Sequence, residues 1–226
     1  MIDYSIIIPC LNEENEILNK TDFYHNLEKK LKAEIIFIDG MSSDKSIYIA
    51  KNISKKVFKC NAQRSRQMNL GSTYCKGKYL LFLHADTFIN SKSIESLTNL
   101  PNDFKWGFFN IHFDCSELKY RLLSKCINLR SYIFKYFTGD QCLVIKKELF
   151  VKVGGFKNMD LMEDIDISRR LRKICNPYIF QGNAITSFRR WELSGFLKTI
   201  IKMRLLRILY YLGIPTRILN SIYNYK

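Results

Sequence analysis

In the N-terminal part of the chain, apolar residues fall in short dense runs, each closed by turn-forming residues. Tyr4 to Pro9 is β-branched at Ile6, Ile7 and Ile8 and ends at proline, with Asn12-Glu13 beyond, the pattern of a strand buried on both faces that runs out into a loop. Residues 14 to 31 have helical spacing, and Glu34 to Ile38 (EIIFI) form a second buried run that stops at Asp39-Gly40. Strand, helix and strand in that order make a right-handed crossover and a parallel pair. Ser42 or Ser43 then offers an N-cap for a short helix, Val57 to Lys59 a short strand, residues 63 to 74 a helix, and Tyr79 to Leu83 a further buried strand closing at His84-Ala85-Asp86. The alternation predicts an α/β fold with a Rossmann-like, mostly parallel central sheet flanked by helices, whose ligands bind beyond the carboxyl ends of the strands.

Beyond Asn90 the rhythm changes. Trp106 to Phe113 has the look of a strand, 117 to 137 of a long basic and apolar helix, and the stretch after it of a loop, a short strand and a short helix ending at Gly154-Gly155. Glu163 to Lys173 has helical spacing with Ile165, Ile167, Leu171 and Ile174 as core positions, and Gly195 to Gly213 forms an apolar C-terminal basic helix. No low-complexity linker or repeat separates these parts, so a single domain over residues 1–226 is expected.

Charge and cysteine content narrow the picture. The 226 residues carry a formal charge of +15, which favours polyanions, anionic lipid surfaces or phosphorylated small molecules. The seven cysteines include no C-x-x-C pair, so neither a zinc site nor a disulfide framework is indicated and a reducing compartment fits. The N-terminal apolar run is too short for a signal sequence or a membrane span, which points to a cytoplasmic protein.

Several acidic and basic residues stand where chemistry is expected. Asp39 and Asp86 end buried strands. Asp39 either accepts hydrogen bonds from a base or ribose or caps its own turn. His84-Ala85-Asp86 sends both polar side chains to one face, and one Asp suffices to anchor a hard cation whose other ligands are diphosphate oxygens and water. Arg64 and Arg66 sit near a helix start, suited to a diphosphate, or else form an exposed basic face. Glu163-Asp164 either complement a helix dipole or supply a general base. Asp166, turned away, is an N-terminal helix charge or a partner for Arg169 or Arg170. Arg189-Arg190-Trp191 makes either a loop that closes over a diphosphate leaving group or a surface turn with the indole packed down.

The stretches SIIIPCLNEE, DGMSSD, RQMNLG, LLFLHADT, GDQ, GGF, MEDIDISRRLRK and RRWE, taken in order, resemble those of family 2 glycosyltransferases of the GT-A fold, over nearly the whole chain. The set is most similar to the radical-SAM/selenodomain-associated branch. The resemblance implies an inverting transferase that moves a sugar from a nucleotide-diphosphate donor, UDP or GDP, to a hydroxyl acceptor that is lipid-linked or part of a cell-surface glycan. It implies a nucleotide-binding half over 1–90, an acceptor and catalytic half over 91–192, and a helical tail over 193–226. Pro9, Asn12, Glu13 and Asp39 would line the nucleotide pocket, Arg64 and Arg66 would approach the diphosphate, and Asp86 would hold a divalent Mn2+ or Mg2+. Asp164 would be the base, with Glu163 orienting it or touching the acceptor. One departure stands out: the family's usual D-x-D is His84-Ala85-Asp86 here, and imidazole can ligate Mn2+ or bond a ribose but supplies no negative charge.

From Arg189 onward Arg189, Arg190, Lys198, Lys202, Arg204, Arg207, Arg217 and Lys226 face Glu192 alone, and these charges interrupt any membrane-spanning run. Two placements follow: a helix in an anionic membrane interface, as a lipid-linked acceptor requires, or a helix packed on the core and on a second subunit of a homodimer. Two other function classes share part of this pattern. A nucleotidyltransferase would use the same metal logic but needs a glycine-rich phosphate loop, which PCLNEE is not. A non-enzymatic basic module would explain the charge but not the ordered acidic sites; with no RNP, zinc-finger or helix-turn-helix signature, nucleic acid is not expected as a partner.

Overall fold

The computed structural model describes residues 2–224; Lys226 and the side chain of Arg190, both named above, lie outside the described residues. The chain runs β1 (Tyr4–Cys10), α1 (Glu14–Asn19), α2 (Thr21–Lys30), β2 (Ala33–Asp39), α3 (Ser46–Ile53), β3 (Lys56–Lys59), α4 (Arg64–Thr73) and β4 (Tyr79–Phe82). It continues with β5 (Thr87–Ile89), α5 (Ser91–Thr98), β6 (Trp106–Phe113), α6 (Leu118–Phe134), β7 (Leu143–Lys146), α7 (Lys147–Lys152), α8 (Glu163–Arg172), β8 (Tyr178–Thr186), α9 (Arg189–Leu193), α10 (Phe196–Tyr211) and α11 (Thr216–Asn224).

One eight-stranded sheet takes strands from both halves of the chain, in the order β3-β2-β1-β4-β7-β6-β8-β5. β1 pairs in parallel with β2 and β4, as do β2 with β3 and β6 with β8. β7 is antiparallel to β4 and β6, and β5 to β8, so the mostly parallel sheet expected from the sequence is present with two reversed strands. Strand alternation splits the core into two layers. Ile6, Ile8 and Phe37 face Ile17, Tyr24 and Leu27 on one side, while Ile7, Ile36 and Ile38 face Met68, Phe82 and Phe150 on the other. Each such side chain contributes roughly 1.5–3 kcal/mol on burial. α4 lies close on β1 because residue 71 is glycine: a Cβ there would stand 2.4 Å from Ile7 Cγ2. That closeness sets the start of α4, with Arg64, beyond the carboxyl end of β1.

The structure departs from the sequence reading in several places. The expected helix over 14 to 31 is two helices broken at Lys20, where Asn19 and Thr21 are weak helix formers and the Thr21 hydroxyl donates to the Leu18 carbonyl. The long helix stops at Phe134 because Lys135 turns left-handed, at φ 53°. Ile174 is not core; it lies past the end of α8 and is 41% exposed. β5, β8, α5 and α11 were not anticipated. β8 shows no strand pattern in the sequence because Gln181, Gly182 and Asn183 interrupt its apolar residues, and its pairing with β6 shifts register between Phe109 and Asn110. The C-terminal helix packs on the body: Leu206 of α10 and Leu219 of α11 are buried with Tyr136, Met162 and Ile165.

Candidate functional site

Two stapled loops form one edge of the site. The backbone N–H groups of Asn12, Glu13 and Glu14 donate to Ser42 Oγ (2.9 Å), Ser46 Oγ (2.8 Å) and Asp44 Oδ2 (3.1 Å), and Ser43 N–H donates back to Asn12 Oδ1 (2.8 Å). Asn12 does this at φ 55°, a left-handed conformation that Asn tolerates. The loop after β1 is thereby fixed to the loop after β2. Asp39 Oδ2 accepts from the N–H groups of Met41 and Ser42, both at 3.1 Å, so this carboxylate does cap its own turn; its Oδ1 is buried without a partner.

A cavity of about 350 Å³ opens beyond the carboxyl ends of β1 and β4. β1 and its loop contribute Pro9, Cys10, Leu11 and Glu13, the loop after β4 contributes His84, Ala85 and Asp86, and the start of α4 contributes Gln63, Arg64 and Gln67. Asp140, Glu163, Trp191 and Tyr223 close the far side. A second, larger cavity of about 730 Å³ adjoins it, lined by α6, α10, the turn at Thr138–Asp140 and the start of α8. Arg64, Asp140, Leu161, Glu163, Trp191 and Tyr223 face both cavities, whereas Asp164 faces the second.

The wall between them is built from the turn Gly139–Gln141. Gln141 fixes that turn through a reciprocal capping interaction with Thr138, and its buried amide donates to the Phe109 carbonyl. Gly139 N–H donates to Asp164 Oδ2 (3.1 Å), while Ile165 N–H donates to Asp164 Oδ1 (2.8 Å), so both carboxylate oxygens are held by backbone. Asp140 Oδ1 meets His84 Nδ1 at 3.2 Å. Residue 139 must be glycine for this approach, since a Cβ would stand 2.4 Å from His84 Cε1. A continuous series of contacts thus joins the loop after β4 to the start of α8.

Electrostatics distinguish the carboxyl groups. Burial, and then the charge of Asp86, push the Glu13 carboxyl up to about 7, and its Oε2 is buried without a partner. Burial, and then Asp164, raise Glu163 as well, with Arg64 Nη1 at 3.9 Å opposing the shift. Asp166 points elsewhere and pairs with Arg170 at 2.8 Å and Lys157 at 3.1 Å, in line with the expected pairing. Among the described residues, no group of three or more His, Cys, Asp or Glu is arranged to hold a metal ion.

Of the residues singled out from sequence, Pro9, Glu13, Arg64, His84, Ala85, Asp86, Glu163, Asp164 and Trp191 line one or both cavities. Asn12 and Asp39 do not: their oxygens serve the loop staple and the turn, and Asp39 sits opposite Cys10 in the strand register, behind the wall. Arg66 does not either, because two residues on a helix differ by about 200°, which turns it away from Arg64. Arg189 is exposed, with Nη1 3.8 Å from Glu16 Oε1. Trp191 packs edge-on against Phe113, with centroids 5.7 Å apart, as the reading with the indole packed down expected, and the segment forms the short helix α9 instead of a loop. Sequence reasoning missed Asp140, Gln63, Gln67 and Tyr223. Asp140 stood within the quoted GDQ stretch, but only the fold shows that His84 is its neighbour.

The profile of Glycosyl transferase family 2 matches residues 5–153. The chain is 27% identical over 117 residues to the minor teichoic acid biosynthesis protein GgaB of Bacillus subtilis, covering 46% of this chain and 12% of that protein. It is 23% identical over 224 residues to the 4,4'-diaponeurosporenoate glycosyltransferase of Staphylococcus haemolyticus, covering 88% and 59%. Among solved structures it resembles S. aureus TarS 1-349 in complex with UDP-GlcNAc (TM-score 0.64, 14% identity, 82% of this chain and 58% of that one). It also resembles the mannosyltransferase PcManGT from Pyrobaculum calidifontis in complex with GDP-Man and Mn2+ (TM-score 0.58, 14% identity, 80% and 56%). The structural likenesses establish a common GT-A fold. The chain spans less than two thirds of the length of each of these proteins.

Proposed function

The chain belongs to glycosyltransferase family 2, and from that membership we propose that it transfers a sugar, with inversion, from a nucleotide-diphosphate donor in the smaller cavity to a hydroxyl acceptor in the larger one. The observation that carries this is the common wall: Glu163 faces both cavities, and Asp164 faces the acceptor side. The acceptor oxygen bonds to the anomeric carbon as the bond from that carbon to the β-phosphate oxygen breaks, and the electron pair leaves with the nucleoside diphosphate. Asp164 takes the acceptor proton, its orientation fixed by two backbone N–H groups. Glu163 orients the acceptor at the boundary. Arg64 and the N–H groups at the start of α4 face the leaving diphosphate, with Trp191 at its rim.

The donor cavity fits a divalent Mn2+ or Mg2+, because burial and then the charge of Asp86 raise the cost of ionising Glu13, and a cation relieves it. Asp86 would hold the ion, with diphosphate oxygens and water completing its shell. Such an ion, when bound, stabilises charge on the leaving diphosphate. Within the family we assign the chain to the radical-SAM/selenodomain-associated branch, on the motif set above. We place it in the cytoplasm, at the inner face of the plasma membrane. All seven cysteines are free, which suits a reducing compartment, and α10 exposes Leu197, Ile201, Leu205 and Ile208 on one face. Among the described residues no helix is long and apolar enough to cross a membrane.

Thermal unfolding against a panel of nucleotide sugars, with and without Mn2+, tests the donor reading. A ligand at a hundredfold excess over Kd adds about 2.7 kcal/mol, or several degrees in Tm. At least one UDP- or GDP-sugar is expected to do so, more strongly with Mn2+. No shift across the panel contradicts the reading.

A further inference from the structure

The larger cavity holds more positive charge than sugar transfer to a neutral hydroxyl uses. Arg130, Arg172, Arg204 and Arg207 line it. Among the described residues, the arginines that form ion pairs are Arg64, Arg170 and Arg189, not these four. Arg130 is the clearest case. Its Nε is buried with no hydrogen-bond partner, and its guanidinium lies over the Tyr136 ring at 4.9 Å. Burial, and then the neighbouring Arg207, bring its pKa down to about 10. Asp140, Glu163 and Asp164 also line the cavity, which leaves its five arginines in excess, and a phosphate or carboxylate oxyanion would offset their repulsion and desolvation cost by bidentate bonds.

The remaining walls are apolar, including Leu123, Ile127, Phe134, Ile200 and Met203. Leu123, Ile127 and Phe134 fall within about 40° of one another on α6, so the apolar lining runs along that helix inside the cavity, with Ile200 and Met203 of α10 opposite.

We propose that the acceptor is an amphiphile: a hydroxyl-bearing molecule whose phosphate or carboxylate group is gripped by Arg130, Arg204 and Arg207, and whose apolar chain lies along α6 and α10. This deepens the transfer reading and rests on it for the role of the hydroxyl. Asp164 lies on the same cavity wall as the arginines, so the anion anchors the acceptor beside the base.

The test is calorimetric titration of the full chain with n-dodecyl phosphate, n-dodecanoate, n-dodecanol and inorganic phosphate, below micellar concentrations, and separately with UDP and GDP. Dodecyl phosphate or dodecanoate is expected to bind at least tenfold more tightly than dodecanol and than inorganic phosphate; which of the two binds better identifies the oxyanion. Arg130→Gln and Arg207→Gln are each expected to weaken that binding at least tenfold while nucleotide affinity stays within twofold. Arg130 and Arg207 are both half-buried but stand on different helices, α6 and α10, so Arg207→Gln stays informative where truncating Arg130 unfolds the protein. The proposal is overturned if dodecanol binds as tightly as the charged amphiphiles, if inorganic phosphate alone matches them, or if Arg207→Gln binds them unchanged. Amphiphile binding as expected with no nucleotide binding keeps the oxyanion site and sinks the donor reading. Nucleotide binding without amphiphile binding does the reverse.

Discussion

Glu13 is buried beside the charge of Asp86, whereas both carboxylate oxygens of Asp164 are held by backbone N–H groups. Glu13 keeps its proton to about pH 7 in the folded protein, mainly through burial and secondarily through Asp86. Between the ordinary carboxylate range and that value the folded state binds more protons than the unfolded one, so this group's contribution to stability declines as pH rises through the window. Glu13→Gln is expected to flatten that part of the curve: Tm measured from about pH 4 to about pH 8 falls less with rising pH than in the parent, and parallel curves contradict the assignment. Asp86 and Glu163-Asp164 were legible in the sequence because apolar runs fix where strands end and where α8 begins. Asp140 and Gln67 were not. Their roles depend on partners far along the chain, His84 for one and the carbonyls of Cys10 and Ile38 for the other. Arg66 was named with Arg64 because both stand near the start of α4, but residues two apart on a helix differ by about 200°, so they do not share a face.

At the scale of elements, α4 reaches the site only because Gly71 lets it lie against β1. A methyl group at that position meets Ile7 Cγ2 at 2.4 Å. Gly71→Ala is therefore expected to cost about 1–3 kcal/mol in denaturant unfolding and to weaken nucleotide binding through displacement of Arg64. A variant as stable as the parent would show that the contact relaxes freely. Gly139→Ala presses on His84 instead, so its expected signature is loss of transfer with a smaller loss of stability. β1, β2 and β4 were predictable because their apolar residues are contiguous, as burial on both faces demands. β8 was hidden by Gln181, Gly182 and Asn183. Gly182 has φ 88°, and a side chain there would collide with Ser93 Oγ at 2.3 Å, so its strand position reflects a tertiary approach that no local pattern encodes. α11 was hidden because its apolar face is completed only by α10 and the loop before α8.

At the scale of the molecule, the charge of +15 and the exposed apolar faces of α6 and α10 lie on a chain whose larger cavity opens between those helices. Sedimentation with vesicles is expected to show binding to phosphatidylglycerol vesicles that weakens with salt, and little binding to phosphatidylcholine vesicles. Equal binding to both would assign the attachment to apolar contact alone. The account as a whole rests on Asp164 acting at the boundary of two cavities, one for the donor and one for the acceptor. The direct measurement is sugar transfer and donor affinity in Asp164→Asn, with the donor found by thermal shift and the acceptor by calorimetry. The account predicts donor affinity within about twofold of the parent and transfer reduced by at least about 10²-fold, the scale of a lost general base. Transfer at the parental rate would contradict it.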